Sequence, residues 1–287
     1  SLGNPIPFGA RAVDPAQAGA DVVLTIDRTL QRLAEQHLAA ALADTGATGG
    51  TILIMEPHTG DLLAMASAPT FDVTELDLTD PTLDFSVFRN RAVIDLYEPG
   101  STFKVITMAA ALDANVVTPT TTFVDTGAIV VGARTIRNFD LSYHGQQTMT
   151  QVLQRSLNTG TAWVATTVGT DLFYWYVNQF GFGDATNAGF AGEAEGIVKE
   201  PGNLFWSEVD LATNSFGQGI SVTPLAAGEY PPSRIRPRGV NVLPLSSTRL
   251  HESVPEGVNV LPHTRTCYSC TVVHGVYERA PPLSSRE

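Results

Sequence analysis

Apolar and polar positions along the first 225 residues fall into short blocks with distinct periods. Residues 22–26 (Val-Val-Leu-Thr-Ile) are an apolar, β-branched run that predicts a strand. Asp27 then stands as an N-cap, and Leu30, Leu33, Leu38, Ala41 and Leu42 share one face of a helix ending near Gly46. Thr51–Glu56 and Asp61–Ser67 are apolar runs flanking Pro57-His-Thr-Gly60, which predicts a hairpin with both strands well buried. After a loop-rich stretch to about Glu98, a helix starts at Pro99-Gly100-Ser101 and runs through Phe103, Val105, Ile106, Met108, Ala109 and Leu112. Apolar residues on nearly every side place that helix inside the domain. A second helix is expected over 148–168 with a break at Gly160, and a third over 170–179, ending at Phe180-Gly-Phe-Gly183. A hairpin sheet with core helices and no regular βαβ alternation favours an α+β fold.

Composition changes this picture near residue 225. Up to Leu225 there are 24 acidic and 10 basic residues; beyond it there are 5 and 7, with no Asp and no Lys. The tail holds 8 of the 18 prolines and both cysteines, and it repeats Gly239-Val-Asn-Val-Leu-Pro244 as Gly257-Val-Asn-Val-Leu-Pro262. It has neither helical nor strand periodicity. Three regions are therefore expected: 1–19, a linker from a missing N-terminal part; 20–225, the folded unit; and 226–287, an atypical, poorly structured tail. The net charge of -12 argues against a nucleic-acid partner, which requires clustered Lys and Arg. No run of 18 or more apolar residues is present, so no spanning helix is expected.

The chain has only two lysines, Lys104 and Lys199. Lys104 falls three residues after Ser101, so on a helix the hydroxyl and the amine share a face. A serine becomes a nucleophile when a neighbouring base takes its proton, and a lysine whose pKa burial has lowered can be that base. A chance Ser-x-x-Lys is common. Here, however, the rare lysine lies in a helix that otherwise reads as buried, where an unused charge is expensive. Ser156-Leu-Asn158 supplies a second hydroxyl and an amide able to hold a peptide carbonyl or the lysine. Alone, such residues near a helix start are usually caps. His263-x3-Cys267-x2-Cys270-x3-His274 has a ligand count suited to tetrahedral zinc, but an exported protein would more readily oxidise the cysteine pair, so no metal is expected.

Together these segments resemble the class B penicillin-binding proteins, the peptidoglycan D,D-transpeptidases. Ser101-Thr-Phe-Lys104 with its Tyr97-Glu-Pro-Gly lead-in is similar to the family's first motif, and Ser156-Leu-Asn158 to its second. Further signatures are Leu24-Thr-Ile-Asp27 with Gln31, Glu56-Pro-His-Thr-Gly60 with Ala64-Met-Ala-Ser67, Asn90-Arg-Ala92 and Asp125-Thr-Gly127. Phe180-Gly-Phe-Gly183, Gly192-Glu-Ala194 and Ser215-Phe-Gly-Gln-Gly219 with Thr223-Pro224 continue them in order, to about residue 225. The resemblance implies a five-stranded antiparallel sheet flanked by helices and a catalytic set of Ser101, Lys104, Ser156 and Asn158. It implies acylation of Ser101 by D-Ala-D-Ala stem peptides and by β-lactams, and cross-linking in bacterial cell-wall synthesis. No cofactor is implied. Expected partners are stem peptides, β-lactam antibiotics, a glycosyltransferase and division or elongation proteins, at the extracytoplasmic face of the membrane with the anchor outside this chain.

The family's third motif, Lys-Thr-Gly or Lys-Ser-Gly, has no counterpart, because no lysine follows Lys199. The expectation is a sheet lacking its active-site edge strand and closing helix, an impaired chain, and out-of-frame or misjoined sequence from about residue 226. A non-catalytic, peptidoglycan- or partner-binding relative is the first alternative. A serine β-lactamase or β-lactam sensor, which shares the first motif, is the second, although the 20–67 segment and the Gly-Gln-Gly region are more similar to the transpeptidases.

Overall fold

The computed structural model describes residues 19–228. Helix α1 (Arg28–Thr45) starts where Asp27 accepts from the Thr29 and Leu30 amides at 2.8 and 2.9 Å, and it stops at Gly46. Such a cap stabilises a helix by about 1 kcal/mol. Its inner face is Ala34 and Leu38, packed on Ala64 and Ala66 with Leu30 and Leu42 at the margin. Leu33, expected inside, is 45% exposed: it lies outside the seam that α1 makes with the sheet. The 22–26 run forms no strand, and Val23 is 94% exposed. Among the described residues the run is tied down at its end, where Thr25 Oγ1 donates to the Leu62 carbonyl and the Asp27 amide to the Leu63 carbonyl.

The expected hairpin is present as β1 (Gly50–Met55) and β2 (Leu62–Ala68), antiparallel with a bulge at Ile54/Met55. Leu53 points away from α1 into a cluster with Ala92, Val93 and Leu225, which come from α2 (Arg91–Ile94) and α8 (Pro224–Gly228). The remaining strands pair as β3 (Thr122–Asp125) with β6 (Gly145–Thr148), β4 (Ala128–Val131) with β5 (Arg134–Arg137), and β7 (Ile197–Val198) with β8 (Ile220–Ser221). Among the described residues no sheet exceeds two strands, so the five-stranded sheet that the resemblance implies is not assembled from them.

The largest core gathers around α3 (Lys104–Asp113), packed on α5 (Asn158–Val168) and α6 (Thr170–Gln179). Phe103, Ile106, Met108, Leu157, Val164, Phe173, Val177 and Phe182 fill it. The region expected as one helix over 148–168 is two, α4 (Met149–Gln154) and α5. The break falls at Arg155–Leu157 rather than at Gly160. Gly160 is helical, and a Cβ there would stand 2.8 Å from both Cγ atoms of Val152, so this glycine serves close packing of α5 on α4. Helix α7 (Glu208–Asn214) opens on a Ser207–Asp210 capping box, and Lys199 pairs with Asp210.

Candidate active site

The turn before α3 is stitched to a distant segment. Tyr97 and Val222 exchange both backbone hydrogen bonds, at 3.0 and 2.9 Å, and the Gly219 amide donates to Glu98 Oε1 at 2.8 Å. The Gly100 amide donates to the Gly217 carbonyl at 2.9 Å, and Thr107 Oγ1 anchors the Ser215 carbonyl at 2.7 Å. Beyond Gly100 the chain enters a 3-10 turn, Gly100–Phe103, that runs straight into α3. Ser101 sits exposed at the mouth of this turn, whereas Phe103 is buried against Phe182. Sequence periodicity had placed Val105 inside as well; it is 44% exposed.

Lys104, one turn after Ser101, is 2% exposed. Its Nζ donates to the Ser156 carbonyl at 2.6 Å and to the Ser156 hydroxyl at 2.8 Å. Burial strips water from the ammonium and pulls its pKa from 10.5 down to about 8. An ammonium has three donors and a neutral amine has two donors and a lone pair. In the neutral form, therefore, both donors can stay on Ser156 while the lone pair remains free.

Ser156 owes its place to the way α4 ends. The Ser156 amide donates to the Leu153 carbonyl and the Leu157 amide to the Val152 carbonyl, both at 3.0 Å, which is the Schellman arrangement with Arg155 as C-cap. That motif puts one residue in the left-handed conformation, usually Gly. Here it is Ser156, at φ 55°. The serine thus trades about 1 kcal/mol of backbone strain for a hydroxyl held at Lys104.

Asn158 opens α5, two residues beyond Ser156, and its Nδ2 donates to the Arg137 carbonyl at 3.0 Å rather than engaging the lysine. The structure thus brings Lys104 and Ser156 into direct contact, puts Ser101 one turn before Lys104, and sets Asn158 at the head of the adjoining helix. Sequence reading missed the left-handed Ser156 joint and the seam between 97–100 and 217–222. The paired glycines of Ser215-Phe-Gly-Gln-Gly219 were the only local signal of that seam. The His263, Cys267, Cys270 and His274 set lies outside the described residues. Among the described residues no helix is long and apolar enough to cross a membrane.

Residues 50–229 match the model of the penicillin-binding protein transpeptidase domain. The chain belongs to this family. It is 36% identical over 225 residues to stage V sporulation protein D of Bacillus subtilis (strain 168), covering 78% of this chain and 34% of that protein. It is 33% identical over 240 residues to peptidoglycan D,D-transpeptidase FtsI of Escherichia coli (strain K12), covering 84% and 39%. Among solved structures, the apo transpeptidase domain of penicillin-binding protein 3 from Burkholderia pseudomallei superposes with a TM-score of 0.61 at 30% identity, over 74% of this chain and 57% of that one. A peptidoglycan glycosyltransferase from Burkholderia ambifaria gives 0.62 at 30% identity, over 71% and 58%. The α+β, antiparallel-strand architecture is therefore that of penicillin-binding transpeptidase domains. The chain spans little more than a third of the length of these curated relatives.

Proposed function

We propose that residues 20–225 are the acyl-transfer unit of a peptidoglycan D,D-transpeptidase. Ser101 is the nucleophile, acylated by the D-Ala-D-Ala end of a stem peptide with loss of D-Ala, and by β-lactams in its place. Lys104 in its amine form takes the Ser101 proton. Ser156 holds the amine in place and relays the proton toward the leaving nitrogen, and the Asn158 amide faces the peptide. A neighbouring strand's amine then resolves the acyl-enzyme into a cross-link. Membership of the family supports the reaction class. The observation that carries the assignment is the buried Lys104, fixed by Ser156 and poised near neutral pH, because a general base works best with a pKa near the working pH.

The setting follows the same reading: the outer face of a bacterial cell membrane, alongside a glycosyltransferase and division or elongation proteins. A second reading, a peptidoglycan- or partner-binding relative without turnover, is favoured by one observation. No lysine follows Lys199, so the third family motif and the substrate-carboxylate grip it carries are missing from this sequence. A missing oxyanion donor on that strand lowers the rate by about 10²–10³-fold, which slows acylation without removing the nucleophile. Fluorescent penicillin discriminates the two readings. Covalent label that is lost in Ser101→Ala and Lys104→Ala supports the enzyme, and no label on the unmodified chain supports the binding relative.

A further inference from the structure

Asp125 ends β3 and is 1% exposed, yet among the described residues no Lys, Arg or His forms an ion pair with it. Its carboxylate is met by neutral donors instead. Oδ1 accepts from the Gly127 amide at 2.9 Å and the Thr159 hydroxyl at 2.8 Å. Oδ2 accepts from Asn138 Nδ2 at 2.8 Å and the His144 amide at 3.0 Å. Burying a charge is costly, and an apolar residue of similar volume would pack the same space without that cost. What the charge provides is direction, since its four donors come from four separate segments.

Two of those segments lead to the second motif. Asn138 is locked by Asp125 through its amide nitrogen, and its Oδ1 accepts from the Thr159 amide at 3.2 Å. The carbonyl just before Asn138, that of Arg137, receives Asn158 Nδ2. The Thr159 hydroxyl lies between Asp125 Oδ1 and Asn138 Oδ1 and has one proton to give; the charged, closer oxygen at 2.8 Å takes it over the neutral one at 3.0 Å. Asp125 thus grips α5 at the residue after Asn158 and, through Asn138 and Arg137, grips the Asn158 side chain.

We propose that Asp125 is a positioning residue for the active site: acting through Asn138 and Thr159, it fixes the head of α5 and so holds Ser156 and Asn158 in register with Lys104. This rests on the reading of Ser101, Lys104, Ser156 and Asn158 given above. The aspartate's own hydrogen bonds go to Gly127, Asn138, His144 and Thr159, not to Ser101, Lys104, Ser156 or Asn158.

The test uses the whole chain with Asp125→Asn, Thr159→Val and Thr159→Ser, each verified as folded by its urea transition. Asp125→Asn turns one oxygen into a donor facing donors, Thr159→Val removes the hydroxyl at constant shape, and Thr159→Ser keeps it. The first two are expected to slow acylation by benzylpenicillin by ~10- to 100-fold, and Thr159→Ser by less than about threefold. A second readout does not depend on activity. With two lysines in the chain, 13Cε-lysine labelling gives two titrating signals, assigned with Lys199→Arg. In Asp125→Asn and Thr159→Val the Lys104 midpoint is expected to rise from about 8 by about one unit as the joint loosens and water reaches Nζ; in Thr159→Ser it stays. An unchanged Lys104 midpoint in Thr159→Val, or in Asp125→Asn, overturns the proposal. Should Asp125→Asn fail to fold, Thr159→Val decides alone. A parent chain that takes no penicillin overturns the assigned function, while the lysine titration still decides the role of Asp125.

Discussion

Gly217 lies so close to Gly100 that a Cβ built on it would stand 2.2 Å from the Gly100 carbonyl oxygen. Gly217 also has φ 75°, so a side chain is opposed both by contact and by backbone conformation. The colliding atom belongs to the residue just before Ser101 and cannot rotate away. Gly217→Ala is therefore expected to destabilise the chain by ~2–4 kcal/mol in urea unfolding. In the folded fraction, displacement of the turn should slow penicillin acylation by about 100-fold.

The strain at Ser156 can be isolated by comparing two variants. Ser156→Ala and Ser156→Gly both remove the hydroxyl that accepts from Lys104, but only Gly relieves the φ of 55°. Urea unfolding should find the Gly variant more stable than the Ala variant by about 1 kcal/mol. Equal stabilities would mean that the left-handed joint carries no strain.

Burial of Lys104 gives stability a defined pH dependence. Its pKa is lowered from 10.5 to about 8, so below about 8 the buried ammonium is charged and its desolvation cost is fully present. Between about 8 and 10.5 the unfolded chain binds more protons than the folded one, and stability should rise with pH. The slope approaches ~1.4 kcal/mol per unit, for a total on the order of 3 kcal/mol. Lys104→Met lacks this term. The difference in unfolding free energy between parent and Lys104→Met, measured from pH 7 to 10.5, should move in favour of the parent as pH rises.

Gly160 tests helix packing against helix propensity. Ala is favoured over Gly in a helix by ~1 kcal/mol. The added Cβ would meet both Val152 methyl groups at 2.8 Å, and overpacking of that kind costs ~1–3 kcal/mol. Gly160→Ala alone should lower the urea midpoint. Combined with Val152→Ala, it should recover part of the loss, giving a coupling that distant sites would lack.

Local signals in the sequence were enough for most elements. Asp27 and Gly46 bracket α1, Pro57–Gly60 marks the β1–β2 turn, and Pro99-Gly100 marks the turn that leads into α3, from which the proposed Ser101–Lys104 pair was read. Where reading failed, the deciding interaction was between residues far apart or depended on backbone conformation. A glycine suggested the break at Gly160, but that glycine answers to Val152, and the break belongs to a serine in a conformation that serine rarely adopts. The 22–26 run has strand composition, yet no neighbour takes up its edge among the described residues. Asp125 was legible as part of a signature, but its link to Asn158 runs through Asn138 and Arg137 and cannot be read from spacing.

The central assignment, a nucleophilic Ser101 served by Lys104, has a direct measurement. The intact chain is incubated with benzylpenicillin, denatured, digested with trypsin, and mapped by mass spectrometry. Cleavage after Arg91 and Lys104 isolates Ser101 in the 92–104 peptide. One penicilloyl group on that peptide, located at Ser101, is the expected result, and in Lys104→Met, where the next cleavage falls after Arg134, the 92–134 peptide should carry none. An unmodified 92–104 peptide after prolonged incubation, or an adduct on another residue, contradicts the assignment.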